Sequence, residues 1–503
     1  AAEAGKETAV VFDGKGTTIT VDKSNSDMRG FAVIDAYQTT LQNGATMTVT
    51  GDGQLNLAFD LPKGDPAAGP HYVADYTVSE ALQNLSADTQ GTFTVTSGAV
   101  LNVEKPNPEG KPYAAGDGQI NLYNTNLAIT DGGSVNVNGS ILAQAVGTEG
   151  PTIAGIAMDH GKLTVTGDDR VQNMGYSGLV QVNTFQAVSS DITIQGRPAE
   201  GLGEDWLTTG GKNGAQWDVA SLVTNASAQN AALLSSSNLT LNAGTFYAYG
   251  TEKGSQLRIE NSAVAMGGST QVASGIIYAG GDIAASIDNS TITVAPQVDD
   301  AKGYGIISAP ELSLNNNSSL TVEKGGQLDL VNGLPKKKPG QGAGVAQLTA
   351  EEALEYLPTY IEANGIATGI FNVTSGSVLN VEQGGTLNIH NVHVDASNGG
   401  KILNTGIINL DPGASASEVT FEQGTDTANK GLIVVDADGH VVLNGGMETN
   451  GTGYVGEVTV EKDKNVTISG AYIQDNSTSR TDTNNNRASM VTVALDDGQS
   501  LTI

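Results

Sequence analysis

Residues 91–104 read GTFTVTSGAVLNVE, and residues 369–382 read GIFNVTSGSVLNVE. Eleven of the fourteen positions are identical, although one phrase begins at Gly91 and the other at Gly369. In both, apolar residues alternate with Thr, Asn and Ser at period two, which places one set of side chains on an inner face and the other on an outer face of a strand. A short phrase of this kind cannot bury its inner face alone, so its recurrence points to stacking of like on like.

Extended outward, the match becomes a duplication. GTTITV (16–21) pairs with NSTITV (289–294), and at the same offset MTVTGDGQLNLAFDLPK (47–63) pairs with LTVEKGGQLDLVNGLPK (320–336). Both copies then leave strand-like sequence at the same place, with TVSEALQNL (77–85) in one and TAEEALEYL (349–357) in the other. Each returns to the opening phrase. After it, GQINLYNTNLAITDGG (118–133) pairs with GTLNIHNVHVDASNGG (385–400). The halves are therefore read as 1–288, with inserts near 58–90, 104–118 and 196–218, and 289–503, with an insert at 333–368.

Composition agrees with many short strands. Gly numbers 65 against 14 Pro, and β-branched residues mix with turn formers throughout. Parallel stacking is preferred over hairpins because identical phrases recur in register and Asn clusters where corners would form hydrogen-bonded ladders. The expected fold is all-β: a right-handed parallel β-helix of roughly 22 residues per coil, built by tandem duplication and carrying two short helical inserts. A series of β-sandwich domains is the competing architecture. Thr77 with Glu80, and Thr349 with Glu352, have capping-box spacing. Leu82 and Leu85, like Leu354 and Leu357, share one face of these helices, which are expected to cover apolar surface on the coils, and Pro358 is expected to limit or kink the second helix.

The chain has 54 Asp and Glu against 24 Lys and Arg, a formal charge of −30, so nucleic acid and anionic lipid are poor partners. It has no Cys, hence neither disulfides nor thiolate metal sites. No apolar run approaches the ~20 residues of a membrane-spanning helix. The start, Ala-Ala-Glu-Ala, suits the remainder of a cleaved secretory signal, and the end, SLTI, suits a chain that continues.

No nucleophile elbow, phosphate-binding loop or zinc-protease motif occurs, and no cofactor or metal is expected. His390 and His393 are read as surface or turn histidines, since residues three apart on a strand face opposite ways. The acidic pairs Asp168/Asp169, Asp299/Asp300 and Asp496/Asp497 sit in turn-like sequence and are read as solvated. Asp436 and Asp438 resemble a fragment of a calcium loop without its remaining ligands. Binding residues are sought in the inserts instead, because the outer residues of the coils are small and polar whereas contact energy concentrates in aromatics and cations. The candidates are Trp206 and Trp217, the only tryptophans and unmatched in the second copy; Lys336, Lys337 and Lys338, a basic spot in an acidic chain; and Tyr356 and Tyr360 on the second helix.

Taken together, the repeating strand phrases, the acidic balance, the lack of Cys and the Gly/Asn/Thr-rich turns make the chain resemble the passenger domain of a bacterial type V autotransporter, of the self-associating and pertactin-like adhesin kinds. The GDSGS signature of the proteolytic members is absent. The resemblance implies export to the bacterial cell surface, with anchoring through an outer-membrane barrel outside this sequence, or release as a secreted protein. It implies a non-enzymatic adhesin that contacts a host or bacterial surface protein, a glycan or matrix, with self-association as a narrower expectation. The alternatives are a polysaccharide-cleaving lyase or hydrolase on the same scaffold, or a purely structural spacer.

Overall fold

The computed structural model describes residues 9–23, 30–62, 76–106, 117–146, 153–167, 178–196, 221–226, 230–250, 256–268, 275–281, 283–296, 302–335, 350–374, 376–396, 398–411, 414–421, 432–435, 439–443, 455–460, 466–469, 490–494 and 501–502. The chain divides into two compact units, one holding residues 1–197, 217–240 and 244–255, the other holding 198–216, 241–243 and 256–503.

Each unit is a parallel β-helix. A coil consists of three strands, as in Gln38–Gln42, Thr46–Val49 and Gly53–Ala58. Each strand pairs in parallel with its equivalent in the next coil: Gln38 aligns with Thr92, Thr46 with Val100 and Gln54 with Gln119. In the second unit Glu311 aligns with Ile370, Ser319 with Val378 and Gln327 with Thr386. Among the described residues the first unit has seven third strands, from Gly30–Asp35 to Thr245–Gly250, and the second has eight, from Gly275–Gly281 to Met490–Ala494. Many coils are longer than expected: Thr18 aligns with Thr46, Lys162 with Asp191 and Thr291 with Ser319. The expected length is approached where Gly30 aligns with Gly53 and Thr386 with Ile407.

Period-two alternation builds the core. Second strands show burial that alternates residue by residue, and Met47, Leu101, Val135 and Leu163 stack in one unbroken row, each fully buried. Phe93 and Phe371, the aromatic residues of the two repeated phrases, both sit in the core. The corner between first and second strands takes a left-handed residue, at Asn43, Ser97 and Asp131 in one unit and at Asn289 and Asn316 in the other. Asn and Asp tolerate this conformation because their short side chains hydrogen-bond locally. The next corner needs Gly for a different reason. A Cβ at Gly53 would lie 2.1 Å from the Val21 carbonyl oxygen, and one at Gly326 would lie 2.4 Å from that of Val294, so the neighbouring coil leaves no room for a side chain.

A row of serines ties the coils of the second unit together. The Ser262, Ser290 and Ser318 amides donate to the Oγ atoms of Ser290, Ser318 and Ser377 at 3.0, 3.1 and 3.0 Å, while the Ser262, Ser290 and Ser318 hydroxyls donate to the carbonyls of Glu260, Asp288 and Asn315. Each buried polar group is thereby paired, as a dry interior requires.

Both helical inserts form. Helix α1 (Val78–Gln83) carries the full capping box: the Glu80 amide donates to Thr77 Oγ1 and the Thr77 amide to Glu80 Oε2. Leu82 and Leu85 are buried with Ala58 and Val146, against Leu61, Tyr123 and Ile153, so this helix covers the outer face of the third strands. Helix α2 (Ala350–Asn364) continues through Pro358, so of the expected limit or kink the proline does not impose the limit. Pro358 is exposed, so its ring meets solvent, and burial of Ala353 and Leu357 anchors the preceding turns. Leu354 is only half-buried, so Ala353 rather than Leu354 faces inward beside Leu357. Thr349, the expected cap of this helix, lies outside the described residues.

Candidate functional site

Outer residues of the second strands form straight rows because register is kept. Thr20, Thr48, Asn102, Asn136, Thr164 and Thr193 align one after another in six successive coils of the first unit. Adjacent strands in a sheet lie about 4.8 Å apart, so the row is a ladder of hydroxyl and amide groups at that spacing. Within it Asn136 Nδ2 donates to Asn102 Oδ1 at 3.0 Å. A Thr or Asn carries both a donor and an acceptor, so a row of them has the chemistry to pair with an outside partner.

Of the insert residues singled out, Tyr356 and Tyr360 lie on α2, half-buried, with ring centroids 6.4 Å apart and planes tilted by 54°. One helical turn separates them, which brings side chains at i and i+4 together. Trp206, Trp217, Lys336, Lys337 and Lys338 lie outside the described residues, as do the acidic pairs Asp168/Asp169, Asp299/Asp300 and Asp496/Asp497, and Asp436 with Asp438.

The reading of His390 as a surface histidine is overturned. His390 ends the strand Thr386–His390, and only 14% of its side chain is accessible. Its Nε2 lies 2.9 Å from Asp329 Oδ1 and its Nδ1 2.5 Å from Asp411 Oδ2. Asp329, on the strand Gly326–Val331 of the preceding coil, is buried and also accepts from Asn388 Nδ2 at 2.8 Å. Asn388 in turn accepts from Asn409 Nδ2 at 2.7 Å. Burial lowers the pKa of the ring, but the hydrogen bonds and charges of Asp329 and then Asp411 outweigh it, and the value is raised to about 9. A neutral imidazole has one N–H, so two carboxylate partners are satisfied together only by the doubly protonated ring. In that state neither nitrogen has a lone pair for a metal or for proton abstraction. The partners lie one coil apart, Asp329 being 61 residues before His390, which is why local pattern gives no signal for them.

Among the described residues, no group of His, Asp or Glu side chains could hold a metal ion, and no helix is long and apolar enough to cross a membrane. No protein-family model and no curated protein matches this chain.

Proposed function

We propose that this protein is a non-enzymatic β-helical adhesin, displayed on or secreted from a bacterial cell, that contacts a protein or glycan of another surface. The observation that carries the reading is the register-locked outer row from Thr20 to Thr193. Repeated weak hydrogen bonds along such a row add up over length, as many identical contacts do in multivalent attachment. Tyr356 and Tyr360 supply what the rows lack, an aromatic pair suited to stacking on a sugar ring or an apolar side chain. The acidic balance of 54 to 24 favours neutral or basic surfaces as partners. A surface with this function requires export, and a type V route through an outer-membrane barrel matches the resemblance in composition and rhythm.

Beads coated with the full chain, offered to bacterial cells, host cells and immobilised matrix, provide the test. Attachment is expected, and replacing both Tyr356 and Tyr360 with Ala is expected to weaken it about tenfold, the loss of a modest binding hot spot. Far-UV circular dichroism is expected to stay unchanged. Reproducible cleavage of a polysaccharide panel by the same preparation would replace this reading with the enzymatic one, and absence of attachment to every surface would leave a structural spacer.

A further inference from the structure

We propose that the Asp329–His390–Asp411 bridge is a proton-dependent clasp that holds three successive coils of the second unit together and lets go in alkali. The bridge crosses the strands Gly326–Val331, Thr386–His390 and Ile407–Leu410, with Asp411 directly after the last. Asp411 is held twice, its carboxylate by the His390 ring and its amide by the Ile389 carbonyl at 3.0 Å. On these three strands the ionisable groups facing the ring are Asp329 and Asp411; the neighbouring Asn388, Asn409 and Val331 are neutral.

Geometry sets the consequence of losing a proton. A neutral ring keeps one N–H, so one carboxylate faces a nitrogen lone pair across a hydrogen-bond distance and repels it. Asp329 is buried and receives Asn388 as well, whereas Asp411 is a third exposed, so release falls on the Asp411 side. The sign follows from linkage. His390 has a folded pKa raised to about 9 from 6.5, so its stabilisation is complete below pH 6.5 and is lost as pH climbs through 9. Across that window the folding equilibrium of the local unit falls by up to about tenfold per pH unit.

The first copy contains its own control. Ser140–Ala143 occupies the place of Ile407–Leu410, and Gln144 follows it where Asp411 follows the other, in a neutral setting of Asn56, Asn121 and Tyr123. Amide hydrogen exchange on the full chain is read as the ratio of exchange in Ile407–Leu410 to that in Ser140–Ala143, which cancels the intrinsic base catalysis. The ratio is expected to rise at least tenfold between pH 7 and pH 10, and Asp411→Asn is expected to move the rise to lower pH. Ring-nitrogen NMR of the unmodified chain is expected to show both His390 nitrogens protonated at pH 7. A flat ratio, a neutral His390 at pH 7, or an Asp411→Asn profile that coincides with the original would each overturn the clasp.

Discussion

The two copies of the duplicated unit place a buried polar row at the same position on their third strands, and they fill it differently. In the first copy Asn56, Asn121 and Gln144 pass hydrogen bonds from amide to amide, Asn121 Nδ2 to Asn56 Oδ1 at 2.9 Å and Gln144 Nε2 to Asn121 Oδ1 at 2.8 Å. In the second, Asp329 stands for Asn56, Asn388 for Asn121, His390 for Tyr123 and Asp411 for Gln144. The neutral row is satisfied at any pH. The charged row needs all its members at once, because a buried carboxylate without a cation is costly whereas a buried amide with one partner missing is less so. In the second copy the Asp that stands for Asn56 therefore comes with the His390 cation that pairs it.

That contrast can be broken most forcefully from either side. His390→Gln, which strands Asp329, is expected to cost on the order of 4 kcal/mol. Asn56→Asp, a buried charge with no cation, is expected to cost a similar amount and to recover as pH falls and the carboxyl takes up a proton. Urea melts at several pH values check both. If Asn56→Asp is neutral at pH 8, the row is more solvated than its burial implies.

A second comparison should show no difference between the copies. Leu101 and Leu379 occupy the same core position in the two repeated phrases and are both fully buried. Replacement of either by Ala is expected to cost about 3 kcal/mol. Unequal losses would mean that packing differs between the copies despite their near-identical phrases.

The pH response of the unmodified chain separates the copies more gently. A folded pKa of about 9 against 6.5 corresponds to about 3 kcal/mol of stability at most, present below pH 6.5 and lost on the way to pH 9. Thermal melts from pH 6 to pH 10 should show this loss, and the variant carrying Asp329→Asn, His390→Tyr and Asp411→Gln together should not.

The smallest expected effect concerns α1. Thr77→Ala removes the cap and is expected to cost about 1 kcal/mol locally, measured as faster exchange of the Glu80 and Ala81 amides. Glu80 is acidified by its hydrogen bonds to the Thr77 side chain and backbone. Its contribution is therefore present above the usual carboxylate range and disappears as pH falls through the lowered value.

These differences also mark how much is legible in advance. Alternation and in-phase repetition announce parallel stacking, since both are local and every coil restates them. The α1 cap is legible because Thr77 and Glu80 are close in sequence and each satisfies the other's backbone. Coil length reads short because inter-strand corners add residues with no periodicity to count. The persistence of α2 past Pro358 depends on burial of Ala353 and Leu357, which no propensity contains. His390 misleads for a similar reason: in the stretch NIHNVH it looks like any polar strand residue, and what makes it different is Asp329 arriving from another coil.

The serine row of the second unit carries an implication for how such a chain can change length. Ser290 and Ser318 each receive from the amide of the coil before and give to a carbonyl of their own coil, so these two links have the same two ends. Excising the stretch from Ser262 to Asn289 would bring Ser290 into the place of Ser262, with the same hydroxyl facing the same kind of neighbour. The joint has no memory of which coil it belongs to. A fold fastened in this way accepts gain or loss of whole turns by recombination and rejects fractions of one, which is the kind of event that the duplicated half of this chain records.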